Sequence, residues 1–167
     1  VLYPDFVRAR DELAALEKTM ASVEAFRSFC AEMKRNEAIP NRPGPYDSKL
    51  HPFVLMRNAE AVLKRYEDQR AEPDRAIELH AIRLGDAALA TSPFELFLDY
   101  GLRIQARSPA AHTVLTQLCC GSEGYLPTAR AEALGGYGAL VINGQVGSDG
   151  GALLVDETLA DIRRLFA

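Results

Sequence analysis

The feature that most constrains this chain is a change of hydrophobic period near residue 76. Upstream, Phe6, Leu13, Leu16, Met20, Val23, Phe26, Cys30 and Met33 recur at steps of three, four or seven residues. That is the spacing of one helix face. It predicts a helix from Asp5 to about Arg35, entered through Pro4-Asp5 and broken near Ser22. A second helix is predicted from Val54 to Gln69, with Leu55, Ala59, Val62, Leu63 and Tyr66 on one side. Glu72-Pro73-Asp74 ends it. Residues 36–52 between them read as a loop, because Pro40, Pro43, Gly44, Pro45 and Pro52 forbid a regular helix. Downstream of the change, Ile77, Leu79, Ala81 and Leu84 approach a two-residue repeat, which predicts a strand over Ala76–Leu84.

The downstream half then alternates between strand and helix. Gly85-Asp86 is a turn, and Ala87–Thr91 a short apolar strand. Ser92-Pro93-Phe94-Glu95 carries a helix-start pattern: Ser92 as N-cap, Pro93 at the first helical position and Glu95 at the third. That helix stops before Ser108-Pro109, and His112–Cys119 is a further strand. Strand, helix and strand over about 30 residues fit a βαβ unit with parallel outer strands. Thr128 caps a short helix that ends at Gly135-Gly136. Leu140-Val141-Ile142 reads as a strand and Asn143–Gly151 as a loop. Leu153–Phe166 reads as a closing helix with Leu154, Leu159, Ile162 and Leu165 inward. The expected fold class is α/β: a small mixed sheet with flanking helices, preceded by an N-terminal helical segment. Residues 1–75 are mainly helical and 76–167 are α/β.

Composition excludes several function classes. The chain has 167 residues, 48% of them hydrophobic and 25% charged, which is ordinary globular usage. The net charge is −4. Nucleic-acid binding relies on clustered Lys and Arg, so no nucleic-acid partner is expected. No apolar run approaches the roughly 20 residues of a transmembrane helix, so no transmembrane segment is expected. Cys30 stands alone and Cys119-Cys120 is a vicinal pair. Three cysteines in that arrangement make neither a disulfide framework nor a zinc spacing, and they fix no compartment.

Few residues stand out for chemistry. His51, His80 and His112 lie apart, and none pairs at helical i, i+4 spacing, so an HExxH-type zinc site is excluded. Each reads as a surface or hydrogen-bonded histidine, His80 as a core residue on its strand. The loop Gly144-Gln145-Val146-Gly147-Ser148-Asp149-Gly150-Gly151 precedes a helix, as phosphate cradles do. It is not GxGxxG, it lacks the Walker lysine, and Asp149 would repel phosphate. Glu95 reads first as the acid of a capping box folded onto the Ser92 backbone. Against that, it is crowded by Phe94, Leu96, Phe97 and Leu98 at the end of a strand, where α/β proteins place their sites. Tyr125 and Tyr137 lie in a glycine-dense stretch, where the backbone can approach closely.

Taken together, these residues resemble a known family. The run from Leu79 to Phe97 (Leu79-His80-Ala81-Ile82-Arg83-Leu84-Gly85-Asp86-Ala87-Ala88-Leu89-Ala90-Thr91-Ser92-Pro93-Phe94-Glu95-Leu96-Phe97) is similar to the neutral/alkaline ceramidase-like proteins of bacteria. So are Tyr125-Leu126-Pro127-Thr128, the later Gly135-Gly136-Tyr137, and the run from Val146 to Gly151 with the helix after it. The likeness covers about Leu79 to Ala167. In that family a Pro-Gly-Glu segment supplies a zinc-binding glutamate, and the matching residue here is Glu95, with Phe94 in place of the glycine. A Tyr-x-Thr-Thr segment supplies a tyrosine at the zinc. Tyr125 matches it, with Pro127 in place of one threonine. Twelve residues on, Tyr137 matches a tyrosine that polarises the amide carbonyl.

The resemblance implies a zinc-dependent amidase that hydrolyses an N-acyl amide of a lipid-like, amphiphilic substrate by metal-bound water, as in sphingolipid metabolism. It implies Glu95 and Tyr125 as metal ligands and Tyr137 as the catalytic residue that steadies the oxyanion. The family's remaining zinc ligands are histidines placed well upstream, and none of those motifs is in this sequence. The chain is therefore expected to be the C-terminal part of a larger catalytic domain, with the other zinc ligands upstream of Val1. Its partner would be the N-terminal remainder of that domain, and alone it would be inactive. Two alternatives stay open. One is a non-catalytic scaffold or assembly module whose long first helix serves as an oligomer surface. The other is a phosphate- or nucleotide-binding module built on Gly144–Gly151.

Overall fold

A computed structural model describes residues 1–37 and 50–167. The chain divides into two compact units, Val1–Asp74 and Arg75–Ala167. The boundary falls beside the change of hydrophobic period.

The first unit is three helices: α1 (Tyr3–Thr19), α2 (Ser22–Glu37) and α3 (Pro52–Ala71). The expected break near Ser22 is present. Pro4 lies in the first turn of α1, and the Asp5 carboxylate accepts from the Leu2 N–H at 3.1 Å. The α3 helix packs against both α1 and α2. Aromatic rings line these seams: Phe6 on Tyr66 at 4.6 Å between centroids, and Phe53 on Phe26 and Phe29 at 5.2 and 5.1 Å. His51 is the N-cap of α3, its Nδ1 accepting from the Phe53 N–H at 3.2 Å. Its Nε2 lies 3.3 Å from the Ser28 hydroxyl, so this histidine is structural. Of the predicted loop over 36–52, residues 38–49, with Pro40, Pro43, Gly44 and Pro45, lie outside the described residues. Pro52 opens α3.

The second unit is α/β, a small mixed sheet with flanking helices. Strand β1 (Ala81–Leu84) turns at Gly85-Asp86 into β2 (Ala87–Thr91), antiparallel to it. Gly85 takes the left-handed φ of 65° that this tight turn requires. After the short strand β3 (Glu95–Leu96) and helix α4 (Leu98–Arg107), strand β4 (His112–Thr116) pairs parallel to β2. The sheet order is β1-β2-β4, with the expected parallel outer strands of the βαβ unit. Strand β5 (Tyr125–Leu126) pairs parallel to β3. Helix α5 (Ala129–Leu134) follows, capped as predicted by Thr128, whose hydroxyl accepts from Ala131 N–H at 3.2 Å. Helix α6 (Ser148–Phe166) closes the unit.

Helices α4 and α6 pack on each other and on the sheet. Their shared core holds Ala88, Ala90, Phe94, Tyr100, Ile104, Leu126, Leu154, Val155, Leu159 and Ile162. Alternation along β2 buries Ala88 and Ala90 toward the helices. The opposite face carries Ile82, Leu89 and Val114 in one register row, with Ile82 and Val114 about half exposed.

Several sequence-based expectations are corrected. Residues 76–80 are not strand; only from Ala81 does the chain join the ladder. The helix expected at Ser92 begins at Leu98, with Phe97 as its N-cap. The Ser92 hydroxyl instead accepts from the Phe94 N–H at 3.2 Å in a local turn, and the Glu95 N–H donates to the Gly124 carbonyl at 2.9 Å. A backbone partner distant in sequence takes the donor that the capping box assigned to the helix. Strand β4 ends at Thr116 rather than Cys119, since Leu118 and Cys120 have φ of 54° and 60°. Leu140-Val141-Ile142 is not a strand. Two single 3₁₀ turns, Tyr137–Ala139 and Val141–Asn143, occupy this stretch, and the Asn143 side chain donates to the Tyr137 carbonyl at 2.6 Å. The glycine loop ends at Gly147, because α6 starts at Ser148. Leu154, Leu159 and Ile162 are buried on α6 as expected, whereas Leu165 is 38% exposed.

Candidate functional site

The two strand pairs are one parallel pairing interrupted midway. Past β2 and β4, the Ser92 N–H donates to the Thr116 carbonyl at 2.9 Å and the Cys119 N–H to the Ser92 carbonyl at 3.0 Å. The Glu123 N–H then donates to the Pro93 carbonyl at 2.9 Å, before β3 and β5 resume regular pairing. Residues 92–94 on one strand thus face the longer excursion 117–124 on the other. Beyond it, Glu95 and Tyr125 are register partners. Partners in adjacent strands present their side chains on the same face. Both open their own short strands, and both lie past the carboxyl ends of the parallel strands β2 and β4, the side where α/β sheets hold their ligands.

Glycines let the chain close around Tyr125. Gly124 has φ of 71°, and a Cβ there would lie 2.3 Å from the Asn143 carbonyl oxygen. A Cβ on Gly144 would lie 2.2 Å from the Tyr125 carbonyl oxygen, and these two glycines form an isolated bridge. At Gly138 a Cβ would lie 2.9 Å from both the Phe97 and Tyr125 rings. The 3₁₀ turn that carries Tyr137 can therefore rest directly on Tyr125. The two rings meet edge to face, 5.7 Å between centroids and 84° between planes. Three residues singled out from sequence, Glu95, Tyr125 and Tyr137, are thereby brought together.

Their electrostatics are coupled. The Tyr125 phenol is pushed above the usual tyrosine range, first by hydrogen bonding to the Glu95 carboxylate. Desolvation, the Glu95 charge and Tyr137 add to it in that order. Glu95 and Tyr125 are half-buried, and Tyr137 is 61% exposed. The Glu95 carboxylate and the Tyr125 phenol thus bring two oxygen atoms within hydrogen-bonding reach of each other. Such oxygens are ligands for zinc and for harder divalent ions. Hydrolytic zinc sites use three protein ligands. Glu95 and Tyr125 therefore fit such an ion as a partial donor set. A shallow hollow of about 160 Å³ lies nearby in sequence, lined by Leu96, Phe97, Leu98, Gly101, Gln105, Leu115 and Gln117. It includes none of the three site residues.

A second group was not legible from spacing. Glu78, His80 and Cys120 each offer a ligand atom, and these atoms lie within 4.8 Å of one another. His80, expected in the core, is exposed, with its Nε2 2.7 Å from a Glu78 carboxylate oxygen. Ile77, Leu79 and Ala81 pack against the core, so alternation turns His80 to the open face that Ile82 shares. The Cys120 thiol is pushed above its usual range by desolvation, by Cys119, by the Glu78 charge and by a hydrogen bond with Cys119. The only sequence signal was Glu78-x-His80, two positions that share a side in extended chain. His112 is exposed at the start of β4.

The glycine-rich approach to α6 already has an anion. The Glu132 carboxylate accepts from the Ser148 N–H at 2.9 Å and from the Ser148 hydroxyl at 2.6 Å. Helix N-termini attract phosphate through such N–H groups. Here a side chain of the same unit fills that role. No protein-family model, curated protein or solved structure matches this chain.

Proposed function

We propose that this chain contributes part of the metal site of a zinc-dependent amidohydrolase resembling neutral ceramidase, acting on an N-acyl amide of a lipid-like substrate. The observation that carries this reading is the convergence of Glu95, Tyr125 and Tyr137 where β3 and β5 begin. Glu95 and Tyr125 supply oxygen ligands, with further ligands from outside residues 1–167. Zinc in such a site supplies Lewis acidity toward a carbonyl and a water acidified to near neutral pH. Tyr137 packs edge-on to Tyr125 and is open to solvent; in this reading its hydroxyl donates to the oxyanion forming on the substrate carbonyl. The Glu95 carboxylate holds the Tyr125 phenol protonated, and a cation held by these two oxygens would favour loss of that proton.

A second observation supports a larger parent domain. Parallel pairs are normally covered on both faces. The face of β1-β2-β4 away from α4 and α6 leaves Ile82, Leu84 and Val114 between 47% and 65% exposed.

The test uses the full gene-encoded protein. Glu95→Ala is expected to lose bound zinc and amide hydrolysis together. Tyr137→Phe is expected to lower kcat by about 10²-fold or more with zinc content unchanged. Stoichiometric zinc and normal turnover in Glu95→Ala would overturn the assignment.

A further inference from the structure

We propose that Glu78, His80 and Cys120 form a separate site for zinc or a similarly borderline divalent metal, at the end of the sheet where β2 and β4 terminate. Topology assembles it. Because β1 runs antiparallel to β2, the residues before β1 lie beside the last residue of β2. The His80 N–H donates to the Thr91 hydroxyl at 2.9 Å, and the Thr91 N–H donates to the His80 carbonyl at 3.0 Å. These bonds fix His80 at that edge, with Glu78 two residues before it.

Cys120 arrives from the other side. The Cys119 N–H donates to the Ser92 carbonyl at 3.0 Å, and a Cβ on Gly121 would lie 3.1 Å from the Pro93 Cβ. The excursion after β4 is thus held on Ser92-Pro93, directly beyond Thr91. Residues some forty positions apart in sequence bring a carboxylate, an imidazole and a thiol to one point.

The geometry suits a tetrahedral ion. Bonds of about 2.0 to 2.3 Å place neighbouring ligand atoms about 3.3 to 3.8 Å apart. The three atoms lie within 4.8 Å of one another, and all three residues are exposed, so small side-chain rotations close the set. The donor set also discriminates. Magnesium and calcium take oxygen ligands, whereas mixed nitrogen, sulfur and oxygen ligands favour zinc and its neighbours. Three protein ligands leave a fourth position for water. The 2.7 Å contact between His80 Nε2 and Glu78 is the contact that an ion would replace.

The experiment is a titration of the 167-residue chain with zinc alone and with cobalt(II) alone, under a non-thiol reductant. The expected result is one bound ion per chain and a near-ultraviolet thiolate-to-cobalt charge-transfer band. Cys120→Ser should abolish the band. Cys120→Ser and His80→Ala should each weaken zinc binding by about tenfold or more, since even outer-shell changes cost that much. Cys119→Ser should keep the band, as should the double variant Glu95→Ala/Tyr125→Phe. That double variant separates this site from the one proposed above. His80 and Cys120 are exposed, and circular dichroism confirms that each variant, the half-buried Glu95/Tyr125 double variant included, is folded. A wild-type chain without the band overturns the proposal, as does a band that persists in Cys120→Ser. Loss of the band in Cys119→Ser or in the Glu95/Tyr125 double variant overturns it equally.

Discussion

Tyr125 shows how one residue can carry both a local and a functional argument. Its ring supports Tyr137, its carbonyl lies against Gly144, and its hydroxyl is governed by Glu95. A phenol with a raised folded-state pKa stabilises the fold while protonated. That contribution is complete below the ordinary tyrosine pKa of about 10 and is lost as pH rises through the higher folded value. Replacing Glu95 by Ala removes the largest cause and should bring Tyr125 back toward the ordinary range. Tyrosinate absorbance across an alkaline titration, with Tyr125→Phe to assign the transition, measures this. An unmoved transition would mean that Glu95 does not govern the phenol. Tyr100 offers a contrast. Buried at 2% exposure, it donates to the Pro127 carbonyl at 2.7 Å, and its hydroxyl lies 2.2 Å from where a Cβ on Gly151 would stand. Tyr100→Phe leaves a buried carbonyl without its donor and should cost about 1 to 3 kcal/mol in thermal or denaturant unfolding. The sequence pointed to Glu95, Tyr125 and Tyr137 because their motifs and spacing resemble a family. The sequence showed only Glu78-x-His80 of the second group, since only the folded sheet brings Cys120 to His80.

At the scale of elements, local patterns were readable where the chain satisfies itself and misread where a distant strand intervenes. The Thr128 cap, the Gly85-Asp86 turn and the break near Ser22 depend on neighbours in sequence, and all three are present. Ser92-x-x-Glu95 has the same local logic. Yet Pro93, Glu95 and Leu96 pair with the segment around residues 123–126, so the helix waits until Leu98. The start of α6 shows the reverse case. Its glycines suggested a loop, but the Glu132 carboxylate on α5 bonds both the N–H and the hydroxyl of Ser148. That tie anchors α5 and gives α6 a negative charge at its positive end. Glu132→Ala should therefore cost about 1 to 2 kcal/mol, as the loss of a good cap does. Glu132→Gln should recover part of it, because an amide oxygen still accepts while the charge is gone. Melting temperatures of the two variants decide this. Equal losses in both would assign the whole effect to charge.

The molecule as a whole divides where its hydrophobic period changes, and the two units differ in what they bury. The core of Arg75–Ala167 contains Phe94, Tyr100, Ile104, Leu126, Leu159 and Ile162, every one of them at most 2% exposed and drawn from that unit alone. Among the described residues of Val1–Asp74 the buried apolar ones are Ala9, Ala25, Met56, Ala59 and Val62, mostly small, while Val23 and Phe26 stay 61% and 50% exposed. Burial of apolar surface contributes roughly 25 cal/mol per Å², so small buried side chains yield little to set against chain entropy. Units of this size are marginal even when well packed. Residues 75–167 should thus fold alone with a cooperative transition. Residues 1–74 should unfold earlier, at lower denaturant. Two fragments cut between Asp74 and Arg75, followed by circular dichroism and hydrogen exchange, test the expectation directly. The decisive comparison is the exchange of Ile104, Leu159 and Ile162 amides. If their protection in the 75–167 fragment matches that in the full chain, the α/β unit stands on its own core, and the two proposed metal sites can be tested in it. If protection collapses, the helical segment supplies stability that the internal core of the α/β unit does not account for.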